Sequence, residues 1–298
     1  MRDNYAYYAS LPLRTRILNV ARGIFRLPVL ERWLMRRTQG ALPGSRIARM
    51  IPHEYGYAKN SWREVERNGF KYRLDLSNAV DHYLYFGLAE PGYENLFAHI
   101  DPDAHIVDVG ANIGMLTMPF ARAAWAGRVV SFEPDPKNRK RLLEQLAMNA
   151  IGNVQVMDVG LGREAATHRL YQVVDTNSGM NRIVLGEEQS ERFPYHEIRV
   201  EVMDAIWPTL SLEKLDVMKV DVEGFEYEVL KGAEATLRKF KPVLFIELDD
   251  DNLRENGSSA LELIGYLGTL GYSARQAVDL SSLPRDLAHC HMDVLCTA

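Results

Sequence analysis

The sequence predicts an α/β fold with a Rossmann-like, mostly parallel seven-stranded sheet, an antiparallel final strand and a mainly helical N-terminal extension. Three observations predict it. From residue 105 onward, short β-branched apolar runs alternate with helical periodicity, the pattern of successive βαβ units. A glycine turn, Gly110 to Gly114, directly follows the first of these runs. The chain then finishes on two short strand-like runs with little helix between them, which suits an antiparallel end to a parallel sheet.

The elements can be placed in order. Residues 1–50 read as a basic helical segment, 51–100 as a helical and hairpin cap leading into the core, and 101–298 as the main domain. Pro28 is expected to break the first segment into one or two amphipathic helices. Asn68-Gly69 is a turn signal inside a short hairpin over 62–76. In the main domain, strand 105–109 leads to a helix over about 115–126, and strand 128–133 to a helix over about 136–150, before a third strand over 153–159. The alternation then falters. Stretches 167–174 and 197–203 read as strands around a polar loop holding Asp175, Asn177, Ser178, Gly179 and Asn181, either an inserted hairpin over a site or plain surface. Strand 215–221, helix 225–240, strand 242–248, helix 258–270 and strands near 272–277 and 291–297 complete the sheet.

The 298 residues carry a net charge of −5, which hides an asymmetry. Residues 1–50 hold ten arginines, no lysine, and only Asp3 and Glu31, for a charge of +8, whereas the other 248 residues carry −13. Arginines 14, 16, 22, 26, 32, 36 and 37 are interleaved with Leu13, Ile17, Leu18, Ile24, Phe25, Leu30, Trp33 and Leu34. Such a segment can lie peripherally on an anionic membrane, bind a partner, or dock on the main domain with its arginines in water. The first ten residues lack an apolar core and a small-residue cleavage site, and no apolar run is long enough to span a bilayer, so a cytoplasmic location is expected. Cys290 and Cys296 are six apart in a strand-like stretch, roughly 20 Å if extended, so reduced thiols are expected.

The first motif is His105-Ile-Val-Asp-Val-Gly-Ala-Asn-Ile-Gly114. Gly110 permits a tight turn and close approach of a ligand, and the helix that follows offers free N–H groups. Glu133 closes the next strand nineteen residues beyond Gly114, where a carboxylate can accept both hydroxyls of a ribose. Together they read as an adenosine-binding edge. Asn112 stands where a dinucleotide fingerprint needs its second glycine, and Asp108 would repel a pyrophosphate but can bond an ammonium. Both features favour S-adenosylmethionine over NAD.

The second motif is Leu215-Asp-Val-Met-Lys-Val-Asp-Val-Glu-Gly-Phe-Glu226. Lys219, Asp221 and Glu223 emerge at the C-terminal end of a central strand, where open α/β sheets place their ligands, and period-2 alternation puts them on one face. Three charges there are costly unless they pair with each other or with substrate. Their alternative role is a salt bridge tying the sheet end to the next helix. Glu247 ends the neighbouring strand and can join the same crevice, whereas Asp249, Asp250 and Asp251 read as a solvated acidic turn. These acids can hold a divalent cation, but no histidine or recognisable ligand spacing commits them to a metal.

The segments Asp108-Val-Gly-Ala-Asn-Ile-Gly114, Phe132-Glu-Pro-Asp-Pro136, Lys219-Val-Asp-Val-Glu-Gly224 with Glu226, Val229-Leu-Lys-Gly-Ala233 and Pro242 through Glu247 resemble, in that order, the FkbM family of methyltransferases. The resemblance covers residues 90–250, and Tyr93-Glu94 resembles the pair that often precedes the family's first motif. It implies a class I methyltransferase fold, S-adenosylmethionine as donor, and O-methylation of a sugar, glycan or secondary metabolite. It further implies that Asp108, Gly110, Asn112 and Gly114 hold the methionine part and Glu133 the ribose, with Glu94 on the cofactor side. Asp158 would then meet the adenine amino group, while Lys219, Asp221 and Glu223 face the transferred methyl.

Transfer to a hydroxyl needs alignment and removal of a proton, for which Asp221 or Glu223, oriented by Lys219, is the expected base. His82 is a secondary candidate. A metal-assisted O-methyltransferase, an NAD-binding oxidoreductase and a non-catalytic cofactor-binding module are the alternatives, separated by a chelator, a nicotinamide difference spectrum and turnover respectively. Nucleic acid is not expected as partner, because the main domain is acidic and no Asn/Asp-Pro-Pro-aromatic motif follows its fourth strand.

Overall fold

The computed structural model describes residues 13–172, 177–184 and 193–298. The first ten residues and Asp175 of the polar loop lie outside the described residues. The chain divides into two compact units near Glu90, with the turn up to Met180 belonging to the first.

In the first unit, α1 (Leu13–Arg22) runs through a 3-10 turn (Gly23–Arg26) into α2 (Pro28–Arg37). The expected break at Pro28 is present, with the proline in the first helical turn, where its missing N–H costs nothing. Strands β1 (Trp62–Arg67) and β2 (Phe70–Asp75) pair antiparallel about Asn68-Gly69, both at positive φ as a two-residue hairpin turn requires. Helix α3 (Ala79–Phe86) starts at Asn78, whose side chain accepts from the N–H groups of Val80 and Asp81. Glu31 of α2 is buried and takes a two-pronged contact from Arg63 of β1, at 2.7 and 3.3 Å. His82 is also buried. Its Nε2 lies 2.8 Å from the Pro52 carbonyl, its ring packs on Tyr57 and Phe86, and burial pushes it down to about 4. His82 is therefore a packed core histidine, and a base role for it is discarded.

The second unit opens with α4 (Tyr93–Phe97) and then alternates β3 (His105–Val109), α5 (Thr117–Ala123), β4 (Arg128–Phe132), α6 (Pro136–Met148) and β5 (Val154–Met157). A small sheet of β6 (Gly160–Leu161), β7 (Ala166–Tyr171), β8 (Arg182–Ile183) and β9 (Tyr195–Glu201) follows, in the order β6-β9-β7-β8. Strands β7 and β9 pair antiparallel, so the irregular stretch is an inserted sheet rather than loose surface. After α7 (Met203–Ile206) come β10 (Val217–Val220), α8 (Glu226–Gly232), α9 (Glu234–Phe240) and β11 (Val243–Asp249). The unit ends with α10 (Asp250–Glu255), α11 (Ala260–Thr269), β12 (Ser273–Gln276) and β13 (His291–Thr297).

The main sheet has seven strands in the order β12-β13-β11-β10-β3-β4-β5. Four of its six neighbouring pairs, from β11 to β5, are parallel, and β13 alone runs antiparallel to both of its neighbours. Side chains alternate across it. Ile106, Val129, Val217 and Phe245 pack on one face with Phe120 and Leu96, while Val107, Val130, Met218 and Ile246 pack on the other with Val229, Leu237 and Leu263. Each fully buried aliphatic side chain of this kind stabilises by about 1.5–3 kcal/mol, which fixes the register of the strands carrying the site.

Two expectations are corrected. The single helix over 225–240 is two helices, broken at Ala233, which leaves helical geometry at φ −111° and ψ 12°; beside the break a Cβ on Gly232 would sit 1.9 Å from the Gly162 carbonyl oxygen. The acidic run is not a turn but the start of α10, with Asp251 exposed as expected and Asp250 buried. Asp249 caps it by accepting from Asn252 N, and buried Asp250 accepts from the N–H groups of Ala260 and His289. Cys290 and Cys296 are both free thiols, and among the described residues no helix is long and apolar enough to cross a membrane.

Candidate functional site

The site begins at a row of polar side chains on one face of the sheet. Parallel pairing sets Lys219 of β10 beside Asp108 of β3, and Asp108 beside Ser131 of β4. All three are buried. Thr117, at the start of α5, donates its hydroxyl to Asp108 Oδ2 at 2.5 Å and accepts from Ser131 Oγ at 3.3 Å. The Lys219 ammonium lies 3.7 Å from Asp108 Oδ1 and 3.2 Å from Asp221 Oδ2, and donates to the carbonyl oxygens of Gly110 at 2.8 Å and Val109 at 3.2 Å. An ammonium has three N–H groups, so Lys219 is fully engaged by its own chain. Burial works against its charge, yet Asp221 and Asp108 outweigh it and hold Lys219 above its ordinary value. Burial pushes Asp108 the opposite way, upward, despite Lys219 and Thr117. With one ammonium between two carboxylates, a charged Lys219 is the arrangement the geometry supports.

Beyond β3 the chain turns sharply at Gly110, φ +78°, where a Cβ would fall 1.8 Å from the Asp221 carbonyl oxygen. Asn112 and Gly114 also take positive φ, and Gly114 packs on Leu142. Glu133, just past β4, is buried and reaches back to this turn. Its Oε2 accepts from Asn112 N at 2.7 Å and its Oε1 from Asp135 N at 2.9 Å. Each oxygen keeps a second lone pair. Burial raises Glu133 to about 7, against the pull of those two N–H groups.

The acids form the other half. Strand β10 ends at Val220, so only Lys219 and Asp221 follow strand alternation; Glu223 joins them through a turn in which it adopts φ +55°. Ligand atoms of Asp221, Glu223 and Glu247 all lie within 4.8 Å of one another, and this trio could hold a cation. Asn252 Nδ2 donates to Glu223 Oε2 at 3.2 Å. Burial, with Asp221 and Glu226 nearby, pushes Glu223 up to about 8. Glu247 is pushed up further, by burial and by Asp221 and Glu223, and it faces Asp293 across the antiparallel β11–β13 pair. Such crowding of carboxylates is a mark of functional sites.

Two other candidates are exposed. Asp158 is exposed and paired with Arg199 at 2.9 Å, and Glu94 is exposed in the first turn of α4. Sequence reasoning passed over three residues and gave Glu226 no role. Thr117 locks Asp108, Asn252 holds Glu223, and Asp293 crowds Glu247. Buried Glu226 accepts from the N–H groups of Val222 and Gly224 with Oε1, closing the turn that presents Glu223. The spacing of Asp221, Glu223 and Glu226 about Gly224 is the signal that pointed to it.

A seven-stranded sheet in this order, with a glycine turn after its first parallel strand and a buried acid closing the second, defines a class I S-adenosylmethionine-dependent methyltransferase domain. The Methyltransferase FkbM domain matches residues 108–274, more than half of the chain, and the chain belongs to that family. It is 28% identical over 256 residues to the AMB antimetabolite synthetase AmbE of Pseudomonas aeruginosa, which covers 74% of this chain and 12% of that protein. It is 30% identical over 147 residues to Methyltransferase 1 of Beauveria bassiana, covering 44% of this chain and 59% of the relative. The chain thus spans less than two thirds of either curated relative. A crystal structure of methyltransferase FkbM from Methylobacillus flagellatus shares 20% identity and a TM-score of 0.44, over 75% of this chain and 53% of that one.

The residues fit S-adenosylmethionine. Asp108 Oδ1 and Asn112 Oδ1 are buried acceptors with no hydrogen-bond donor among the described residues. Orphaned acceptors suit a ligand rich in donors and positive charge, such as an ammonium and ribose hydroxyls, and repel a pyrophosphate. Asp108, Asn112 and Glu133 would hold it.

Proposed function

We propose that the chain is an O-methyltransferase acting on a hydroxyl of a sugar, glycan or secondary metabolite, with Glu223 as general base. The observation that carries this reading is the Asp221, Glu223 and Glu247 cluster at the C-terminal mouth of β10 and β11, beside the Lys219 that grips the cofactor turn. S-adenosylmethionine supplies, when bound, an electrophilic methyl on a sulfonium. Lys219 has no donor left for substrate, so it acts as a positioning residue that fixes Asp221 against Gly110. Glu223 suits the role of base, because a carboxyl lifted to about 8 accepts a proton from an alcohol more readily than one at the usual carboxylate value. Asn252 keeps its acceptor oriented. The likeness to AmbE, an antimetabolite synthetase by name, supports a secondary-metabolite acceptor.

The cation-holding capacity of the acid trio supports a second, metal-assisted reading, in which the same oxygens would grip a divalent ion and lower the acceptor hydroxyl's pKa. One experiment separates the two. Methyl transfer from labelled S-adenosylmethionine is measured on panels of hydroxylated metabolites and glycans, with and without chelator. Turnover that persists in chelator and falls in Glu223→Gln supports the general-base reading. Turnover lost to chelator and restored by magnesium supports the metal-assisted one, and no O-methylated product from any panel contradicts both.

A further inference from the structure

We propose that the α1–α2 segment is a docking surface for an anionic phospholipid bilayer. Leu13, Ile17, Val20 and Ile24 recur at i, i+4, i+7 and i+11, which places them in one stripe along α1 and its 3-10 continuation. The stripe faces outward, with these side chains 69%, 61%, 73% and 54% exposed. Scattered exposed apolar residues are ordinary on a protein surface. Here, however, eight of the eighteen large apolar side chains exposed among the described residues fall within 13–33. They include Trp33 of α2, whose ring stacks on Phe25 at 6.3 Å, an amphipathic ring of the kind that settles at headgroup depth.

The charge around the stripe identifies the occupant. Between residues 13 and 50 the sole acidic side chain is Glu31, which is buried against Arg63, so every exposed charge on this stretch is positive. Arg32, Arg36 and Arg37 are exposed on α2 and Arg46 follows in the next loop. An apolar stripe on a segment whose exposed charges are all positive suits an interface of acyl chains beneath anionic headgroups. A second copy of the chain would set two all-positive surfaces together with no carboxylate to pair them, and a nucleic acid would leave the stripe without an apolar counterpart.

The test is flotation of the full chain with vesicles of phosphatidylcholine alone and of phosphatidylcholine mixed with phosphatidylglycerol. Binding is expected to the mixed vesicles only, and is expected to weaken as salt is raised. Arg32→Gln, Arg36→Gln and Arg37→Gln together should lower the partition by about five-fold per arginine. Ile17→Ser with Val20→Ser should lower it by at least about ten-fold. Both variants should keep wild-type affinity for S-adenosylhomocysteine, which shows that they are folded and separates this proposal from the assignment of the catalytic reaction. Equal binding to both vesicle types, no binding to either, or binding indifferent to both variants would overturn the proposal. So would self-association in sedimentation equilibrium that Ile17→Ser with Val20→Ser abolishes while vesicles remain unbound.

Discussion

Lys219 Nζ donates to the carbonyl oxygen of Gly110 at 2.8 Å, so the strand that leads into the acids is tied to the glycine turn after β3. The same ammonium is the only cation within ion-pair distance of buried Asp108 among the described residues. Lys219→Met is therefore expected to leave Asp108 buried without its counter-charge. The cost should be about 3–5 kcal/mol of unfolding free energy, together with at least a ten-fold loss of S-adenosylhomocysteine affinity. Chemical denaturation and calorimetry check both, and wild-type values in the variant would remove Lys219 from its positioning role.

Gly110→Ala places a Cβ against the Asp221 carbonyl at a residue that already has positive φ. Loss of cofactor binding and a lowered Tm are expected. Gly152→Ala, where a Cβ meets nothing within 4 Å, serves as the tolerated control. Equal behaviour of the two variants in thermal melts and binding would contradict the close approach.

The pH profile tests the base. Glu223 must be ionised to take a proton, and its carboxyl is lifted to about 8, so kcat/KM is expected to rise with pH and level off above about 8. Glu223→Gln should lower kcat by about 10²–10⁴ and flatten that rise. A profile that keeps the same inflection in the variant would assign it to another group.

Glu226 offers a stability test. Burial holds its folded-state value at about 7, above the ordinary 4.5. Below about pH 4.5 both folded and unfolded chains are protonated and this stabilising contribution is complete. As pH rises toward 7 the unfolded chain releases a proton that the fold retains, so the contribution is lost. Glu226→Gln keeps an acceptor for Val222 and Gly224 but does not titrate. Its stability relative to wild type should therefore rise between pH 4.5 and 8, by about 3 kcal/mol at most. Parallel urea curves at both pH values would contradict this.

The sheet was legible where burial is local. Residues 105–109 are an apolar run bounded by a glycine turn, and β3 spans His105–Val109. The hairpin was legible in Asn68-Gly69. What was hidden depends on groups distant in sequence. The need for glycine at the end of α8 comes from the Gly162 carbonyl, seventy residues before it in the chain. Asp250 looked like one of three solvated acids because the N–H groups that bury it belong to Ala260 and His289. Asp158 is paired with Arg199 on the inserted sheet, a contact that spacing alone does not reveal. Glu223 reaches the site through a left-handed turn closed by Glu226, where the sequence pattern suggested plain strand alternation.

The turn from Gly110 to Gly114 and the Glu133 that closes on it are expected to form the S-adenosylmethionine-binding edge. Isothermal titration with S-adenosylhomocysteine, with NAD as comparison, tests it most directly. Micromolar binding of S-adenosylhomocysteine is expected, with none for NAD. Glu133→Ala should weaken that binding by at least about ten-fold, as the loss of charge-assisted hydrogen bonds to ribose requires, while circular dichroism reports a folded chain. Wild-type affinity in a folded Glu133→Ala variant, or a preference for NAD, would contradict the assignment of this edge to S-adenosylmethionine.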